Sequence, residues 1–351
     1  MKKHIAVLPG DGVGPEVTME AIKVLKKIAE KFNHQFIFKE GLIGAIAIDK
    51  TNTPYPDETH RLCLKSDAIL FGAVGNPKYD NDPQAKIRPE QGLLKMRETL
   101  GLYTNIRPIK IFSFLINQSP IKPKIIKDVD FIFVRELTSG IYFGKKGRTN
   151  NNQSAFDICN YSTEEIVRVT KIAFDLAKKR KNKVTLVDKA NVLETSRLWR
   201  ETVTNFTKKF PDIILETMFV DNAAMQIIKK PKQFDVILTE NMFGDILSDE
   251  ASVITGSIGM LPSASIGEEI TLYEPIHGSY PKAVGKNTAN PIGSILSVAM
   301  MLDYSFGLKK ESQAVYNAVE KTLNNALGTK DIVDKNPLST SELGDAIINF
   351  I

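Results

Sequence analysis

Cysteine is scarce in this chain. Only Cys63 and Cys159 occur among 351 residues, neither in a CxxC pair nor beside a histidine. That weighs against a disulfide framework and against a zinc site. Long apolar runs are missing as well. The longest, ILSVAMMLDYSF at 295–306, falls far short of the ~18 residues a bilayer requires. The opening MKKHIAVLPG is basic but offers about four apolar residues before Pro9, too few for a secretory leader. A cytoplasmic enzyme is the expected class. Charge of one sign is not concentrated either. The net charge is +5 and the pI about 8.9, yet the basic residues are scattered. Clusters such as KKRKNK (178–183) close a helical pattern, where cations complement the helix dipole. Neither a nucleic-acid partner nor a membrane partner is expected. Internal repeats and low-complexity linkers are absent.

What is present is 42% hydrophobic and 25% charged residues, values of a globular protein with a sizeable core. The length suits two domains or one large α/β unit. Strand and helix patterns alternate. HIAVL reads as a buried strand, and EVTMEAIKVLKKIAEKF repeats apolar residues at the spacing of an amphipathic helix. AILFG, FIFVR, KVTLVD, IILETMFV and FDVILT read as central strands of a parallel or mixed sheet. Ser162 and Glu165 form a capping box that opens a helix running to about Arg180. NNNQ at 150–153 marks a loop. GDGVGP at 10–15 follows the first strand, but Pro15 stands where a dinucleotide fingerprint needs its third glycine, and no acid closes an obvious second strand. A tight strand-to-helix turn with proline near its first helical position explains it equally well.

The residues that bear chemistry are carboxylates, arginines and one lysine. Asp245 and Asp249 lie four apart in MFGDILSDEASVI, one helical turn from each other, where like charges repel. Asp221 follows the strand pattern ILETMFV, either as a helix N-cap or at the carboxyl edge where open α/β sheets bind ligands. Three carboxylates without a histidine or cysteine suit a hard cation, Mg²⁺ or Mn²⁺, and such an ion would supply the missing positive charge. Arg97 and Arg107 can grip carboxylates bidentately. Leu93 and Leu94 lie one turn before Arg97, which fits a carboxylate substrate with a branched alkyl group. Core leucines beside a surface arginine are the plainer alternative. Arg135 ends a strand, and Tyr142 follows among glycines. Lys189 sits just past KVTLVD, as a solvated cation or as a base.

Taken in order, GDGVGPE, LLKMR, NIRP, VRELTSGIYFG, DKANVL, DNAAMQ, FGDILSDE and EPIHGSYPKAVGKNTANP resemble the β-decarboxylating isocitrate/isopropylmalate dehydrogenases. The resemblance runs from near residue 5 to about 345. It implies an isopropylmalate/isocitrate dehydrogenase-like fold, two α/β domains with a cleft between them, and not a Rossmann fold. The first domain would take 1–102 plus 256–351. The second, 103–255, would hold a dimer interface and a protruding hairpin near 142–160. Substrate would bind in the cleft and close the domains.

The resemblance also implies an activity: oxidation of 3-isopropylmalate with NAD, then loss of CO₂ to give 4-methyl-2-oxopentanoate, in leucine biosynthesis. Isocitrate, homoisocitrate and D-malate are the alternative substrates, and a silent regulatory subunit is the alternative of another class. Arg97, Arg107 and Arg135 match the carboxylate clamp. Asp221, Asp245 and Asp249 match the metal ligands, Asp221 also touching substrate. Lys189 matches the group that takes the hydroxyl proton, and Tyr142 the acid that protonates the enol carbon. Lys189 and Asp221 would reach into a neighbouring subunit's site, so the expected partner is a second copy in a homodimer.

Leu93, Leu94 and Val192 would line the isopropyl pocket. Burying such a group contributes ~1.5–3 kcal/mol, whereas a carboxylate left there unpaired costs several. Glu90 would lie near the nicotinamide and repel a γ-carboxylate. His277, Gly278, Ser279, Lys282, Gly285 and Asn290 would form the cofactor loops. Known NAD-using members carry an acid at the position of Lys282, which bonds the ribose hydroxyls and repels a 2′-phosphate. Lysine does neither, although the isopropylmalate branch uses NAD and NAD is the expected cofactor. Asn76 in GAVGNPK replaces a glycine of relatives, and asparagine tolerates positive φ.

Overall fold

The computed structural model describes every residue except Pro83 and Gln84. Its strands in chain order are β1 (Lys2–Gly10), β2 (Gln35–Glu40), β3 (Ala68–Ala73), β4 (Thr104–Lys110), β5 (Asp130–Glu136), β6 (Lys146–Thr149), β7 (Ser154–Asp157), β8 (Lys183–Asp188), β9 (Ile214–Phe219), β10 (Val236–Thr239), β11 (Pro262–Ile266) and β12 (Thr271–Pro275). The chain divides into two compact units, one of Met1–Leu102, Phe112–Pro120 and Thr255–Ile351, the other of Tyr103–Ile111 and Ile121–Ile254. The segment Phe112–Pro120, read from sequence as part of the second domain, thus belongs with the first. Its short 3-10 turn buries Leu115 and packs against the helix Lys309–Asn324.

In the first unit the strands run β2-β1-β3-β12-β11. β1 is parallel to β2 and β3, β12 is parallel to β3, and only β11 runs against its neighbour. Ile5 to Leu8 are fully buried, as expected of a strand covered on both faces. The turn after β1 is a structural device. Gly10 and Gly12 have φ of +70° and +62°, and a Cβ on Gly12 would stand 1.9 Å from the Ser279 carbonyl oxygen. Asp11 closes the turn by accepting the backbone N–H groups of Ala45, Ile46 and Gly75 at 2.8–3.0 Å. The helix Gly14–Phe32 then begins with Pro15 in its first turn, where the missing N–H costs nothing.

In the second unit the order is β4-β5-β10-β8-β9. β4 and β5 are antiparallel, and the remaining pairs are parallel. The expectation that IILETMFV forms a central strand is corrected here. β9 is an edge strand with Ile214 60% exposed, and its Glu216 and Thr217 suit a half-solvated position. β6 and β7 form a separate antiparallel hairpin. Its turn places Asn150, Asn151 and Asn152 at φ of 51–69°, a left-handed conformation that asparagine adopts more readily than most residues. Ser162 caps the helix Thr163–Lys178 by accepting from Glu165 N. Among the described residues no helix is long and apolar enough to cross a membrane.

Candidate active site

The positive charge that Asp245 and Asp249 require is present in the chain itself, as two guanidinium groups. Both aspartates lie on the helix Asn241–Thr255, which follows β10. Arg135, 2% exposed at the end of β5, donates from Nη1 to Asp245 Oδ1 at 2.5 Å. Arg107, on the adjacent β4, reaches Asp249 Oδ1 at 3.3 Å and Asp245 Oδ1 at 3.5 Å. Tyr142 completes the group: its hydroxyl donates to Asp245 Oδ2 at 2.9 Å, and its ring lies 5.8 Å from the Arg135 guanidinium carbon. Burial, with the nearby Asp245 charge, holds the Tyr142 phenol above its ordinary pKa.

The side chains that hold the arginines were not singled out from sequence. Asn241 Oδ1 accepts from Arg135 Nε at 3.1 Å and Nη2 at 2.7 Å. Asn105 accepts from Arg107 Nε at 2.7 Å, and Ser248 from its Nη1 at 2.7 Å. Ser248 and Asn105 had weak signals, being polar in apolar stretches. Asn241 opens a helix one residue after a buried strand, which was the signal that could have found it.

Lys189 follows β8 and bonds Asp221 Oδ1 at 2.5 Å. Asp221 is not an N-cap: Phe219 holds that place, and Asp221 lies within the first turn of the helix Val220–Lys229. The lysine holds its carboxyl below the ordinary range. Among the described residues of one chain no three Asp, Glu, His or Cys side chains form a metal-holding group. Asp245 and Asp249 share Arg107, and Asp221 stands with Lys189. Val192, expected in the alkyl pocket, is 60% exposed.

Other expected residues lie in the first unit. Leu93 and Leu94 are half-buried on the helix Pro89–Thr99, and Leu93 packs against the core around Met96, Leu100 and Leu102. Arg97 is 7% exposed and donates to Glu274 Oε1 at 3.1 Å, while its Nε is buried without a partner. Glu90 is exposed in the first turn of that helix. Asn76 does not use positive φ. Its φ is −149°, and it caps a short helix by accepting from Lys78 N at 3.0 Å; Gly75 carries the positive φ instead.

His277, Gly278, Lys282 and Asn290 line a cavity of 770 Å³, with Tyr280 and Asp331. Ser279 and Gly285 shape the loop: the Ser279 carbonyl accepts from Val13 N, and Gly285 N donates to Glu16. Burial lowers the His277 pKa, and its Nε2 is buried without a partner. Tyr280 has φ of 41°, an uncommon conformation for an aromatic residue. A cavity with an orphaned imidazole nitrogen suits an adenine nucleotide, while the Asn290 amide at its wall is already bonded to Asp331 and to Ile292 N. The carboxylate oxygens of Asp245 and Asp249 suit a hard divalent cation.

The chain matches the family described as isocitrate/isopropylmalate dehydrogenase over residues 4–347. It is 55% identical to a 3-isopropylmalate dehydrogenase of Geobacillus kaustophilus (strain HTA426), over 98% of this chain and 94% of the relative. With the 3-isopropylmalate dehydrogenase of Bacillus subtilis (strain 168) the identity is 53%, over 97% and 95%. Among solved structures, an isocitrate dehydrogenase from Methylococcus capsulatus superposes with a TM-score of 0.89 at 31% identity, covering 99% of each chain.

Proposed function

The chain belongs to the isocitrate/isopropylmalate dehydrogenase family, and from that premise we propose that it oxidises and decarboxylates 3-isopropylmalate with reduction of NAD, giving 4-methyl-2-oxopentanoate in the cytoplasm. The observation that carries this reading is the convergence of Arg107, Arg135 and Tyr142 on Asp245. Two cations, an acid and a carboxylate pair meet there, which is what a hydroxy diacid needs for binding and for proton transfer.

Arg107 and Arg135, with Arg97, take the substrate's carboxylates through planar guanidinium forks. A divalent cation held by Asp245 and Asp249, with Asp221 from a second copy, would supply Lewis acidity at the hydroxyl oxygen and at the oxygen of the later enolate. Lys189, as the free amine, accepts the hydroxyl proton on Nζ as hydride leaves for the nicotinamide. Loss of CO₂ from the β-carboxylate leaves the electron pair of the broken bond as an enolate, and Tyr142 donates a proton to the enolate carbon, giving the ketone. The elevated phenol pKa keeps Tyr142 protonated at neutral pH, as an acid must be. Leu93 and Leu94 receive the branched tail and disfavour the third carboxylate of isocitrate. His277, Lys282 and Asn290 hold the adenosine end of the cofactor. Lys189 and Asp221 serve the site of a second copy, so the active unit is a homodimer.

The test is a substrate and cofactor panel. NADH appears with 3-isopropylmalate only when Mg²⁺ or Mn²⁺ is added, and not with isocitrate. Turnover of isocitrate in place of 3-isopropylmalate would overturn the assignment.

A further inference from the structure

A buried acid that this chemistry does not use stands at the root of the helix carrying Asp245 and Asp249. Glu240 directly follows β10 and is 4% exposed. Its carbonyl accepts from Gly244 N at 3.1 Å, within the helix's first turn. Its Oε2 is buried without a hydrogen-bond partner. The titratable groups facing it are Glu136 at the end of β5, Asp188 at the end of β8, and Cys159 and Tyr161 ahead of the helix Thr163–Lys178. The two flanking carboxylates both have partners, although burial still raises the Glu136 carboxyl above its ordinary range. Glu136 accepts from Thr138 N at 2.9 Å and Ser139 N at 3.0 Å, with Arg168 at 3.6 Å. Asp188 takes two bonds from Arg200, at 2.7 and 2.8 Å. Among the described residues no cation pairs with Glu240. Burial, then the charges of Glu136 and Asp188, push its carboxyl up to about 7.

The next residue, Asn241, is 1% exposed and seats Arg135. Asn241 is itself fixed on two sides: its Nδ2 donates to the Ser139 carbonyl at 3.2 Å, and its backbone N–H donates to the Tyr161 hydroxyl at 3.0 Å. Tyr161 is one of the groups facing Glu240, and Ser139 N is bonded to Glu136. The anchors of Asn241 are therefore the same side chains and backbone that surround the unpartnered acid.

We infer that Glu240 is a positioning residue that acts in its neutral form, seating Asn241 and through it the Arg135 guanidinium. Ionisation would put an uncompensated negative charge among Glu136, Asp188 and Tyr161, and the first turn of the helix would relax away from it. Affinity for an anionic substrate then falls as pH rises through neutrality. The substrate half of this inference rests on the function proposed above; the protonation of Glu240 does not.

The test compares the full-length protein with Glu240→Gln, which mimics the neutral acid. A carboxyl whose folded pKa is raised keeps a proton that the unfolded chain releases. The wild-type unfolding constant in urea should therefore rise relative to the variant's by up to about tenfold per pH unit between about pH 5 and 7, levelling above that. Calorimetric affinity for 3-isopropylmalate should weaken several-fold from slightly acid to alkaline pH in wild type and hold steady in the variant, with kcat at acid pH unchanged. Superimposable unfolding profiles would overturn the protonation. Divergent unfolding with identical affinity profiles would overturn the relay through Asn241. Were the substrate bound at no pH, the fault would lie with the proposed function, and the unfolding profiles would still decide Glu240. Should the variant fail to fold, the infrared carboxyl band of the wild type decides instead: it must show a protonated buried acid at slightly acid pH that disappears above neutrality, and its absence overturns the proposal.

Discussion

The Tyr142 hydroxyl donates to Asp245 Oδ2 at 2.9 Å. An acid is thereby tethered to one of the three carboxylates read as metal ligands. Tyr142→Phe removes the proton and keeps the ring over Arg135. Losing a general acid costs ~10²–10⁴-fold, so kcat should fall by about that factor while KM changes little. Hydride transfer, read as a single-turnover burst of NADH, should survive. A variant with undiminished kcat would remove Tyr142 from the chemistry.

Arg97 and Glu274 form a buried pair at 3.1 Å, with both side chains below a tenth exposed. Glu274→Ala leaves a desolvated guanidinium without its counter-ion. The expected loss is about 3–5 kcal/mol in urea unfolding. Replacing both residues by methionine should restore most of that stability, because the cost lies in the unpaired charge. Equal destabilisation by the single and double variants would contradict this.

Lys189 pairs with Asp221 rather than with Asp245 or Asp249. If it serves a second copy, Lys189→Met and Tyr142→Phe homodimers are both inactive, yet each heterodimer carries one intact site. Refolding an equal mixture should recover about a quarter of wild-type activity by random pairing. No recovery would mean that lysine and tyrosine act within one chain.

Lys282 lines the 770 Å³ cavity, and Asp331, the one carboxylate lining it among the described residues, is engaged by Ser257, Asn290 and Thr329. Lys282→Asp should tighten NAD and weaken NADP, measured as dissociation constants by calorimetry. Repulsion between a carboxylate and a 2′-phosphate, set against a lost attraction, should move the NAD/NADP ratio by tenfold or more, about 1.4 kcal/mol. An unchanged ratio would place the ribose away from this side chain.

Much of the architecture was legible because it is local. The strands β1, β3, β5, β8 and β10 announced themselves as short apolar runs, and Ser162 with Glu165 declared a helix start. β9 was misread because an apolar run says nothing about whether a second neighbour strand exists. Asn76 was misread because its value lies in a side-chain cap, not in its φ. The place of Phe112–Pro120 depends on Leu115 finding the helix Lys309–Asn324, nearly two hundred residues on in the chain, and no local pattern encodes that meeting.

From sequence alone came the residue types of the site and their spacing: two aspartates one turn apart, an arginine and a lysine each at a strand's end, leucines ahead of Arg97. Those are properties of period and chemistry, which short segments carry by themselves. Only the tertiary structure decided which charges answer which. Arg135 and Arg107 reach Asp245 across more than a hundred residues, while Glu240 is brought among other acids with no cation of its own. Charge pairing and burial depend on distances between segments, and those distances exist only once the chain has folded.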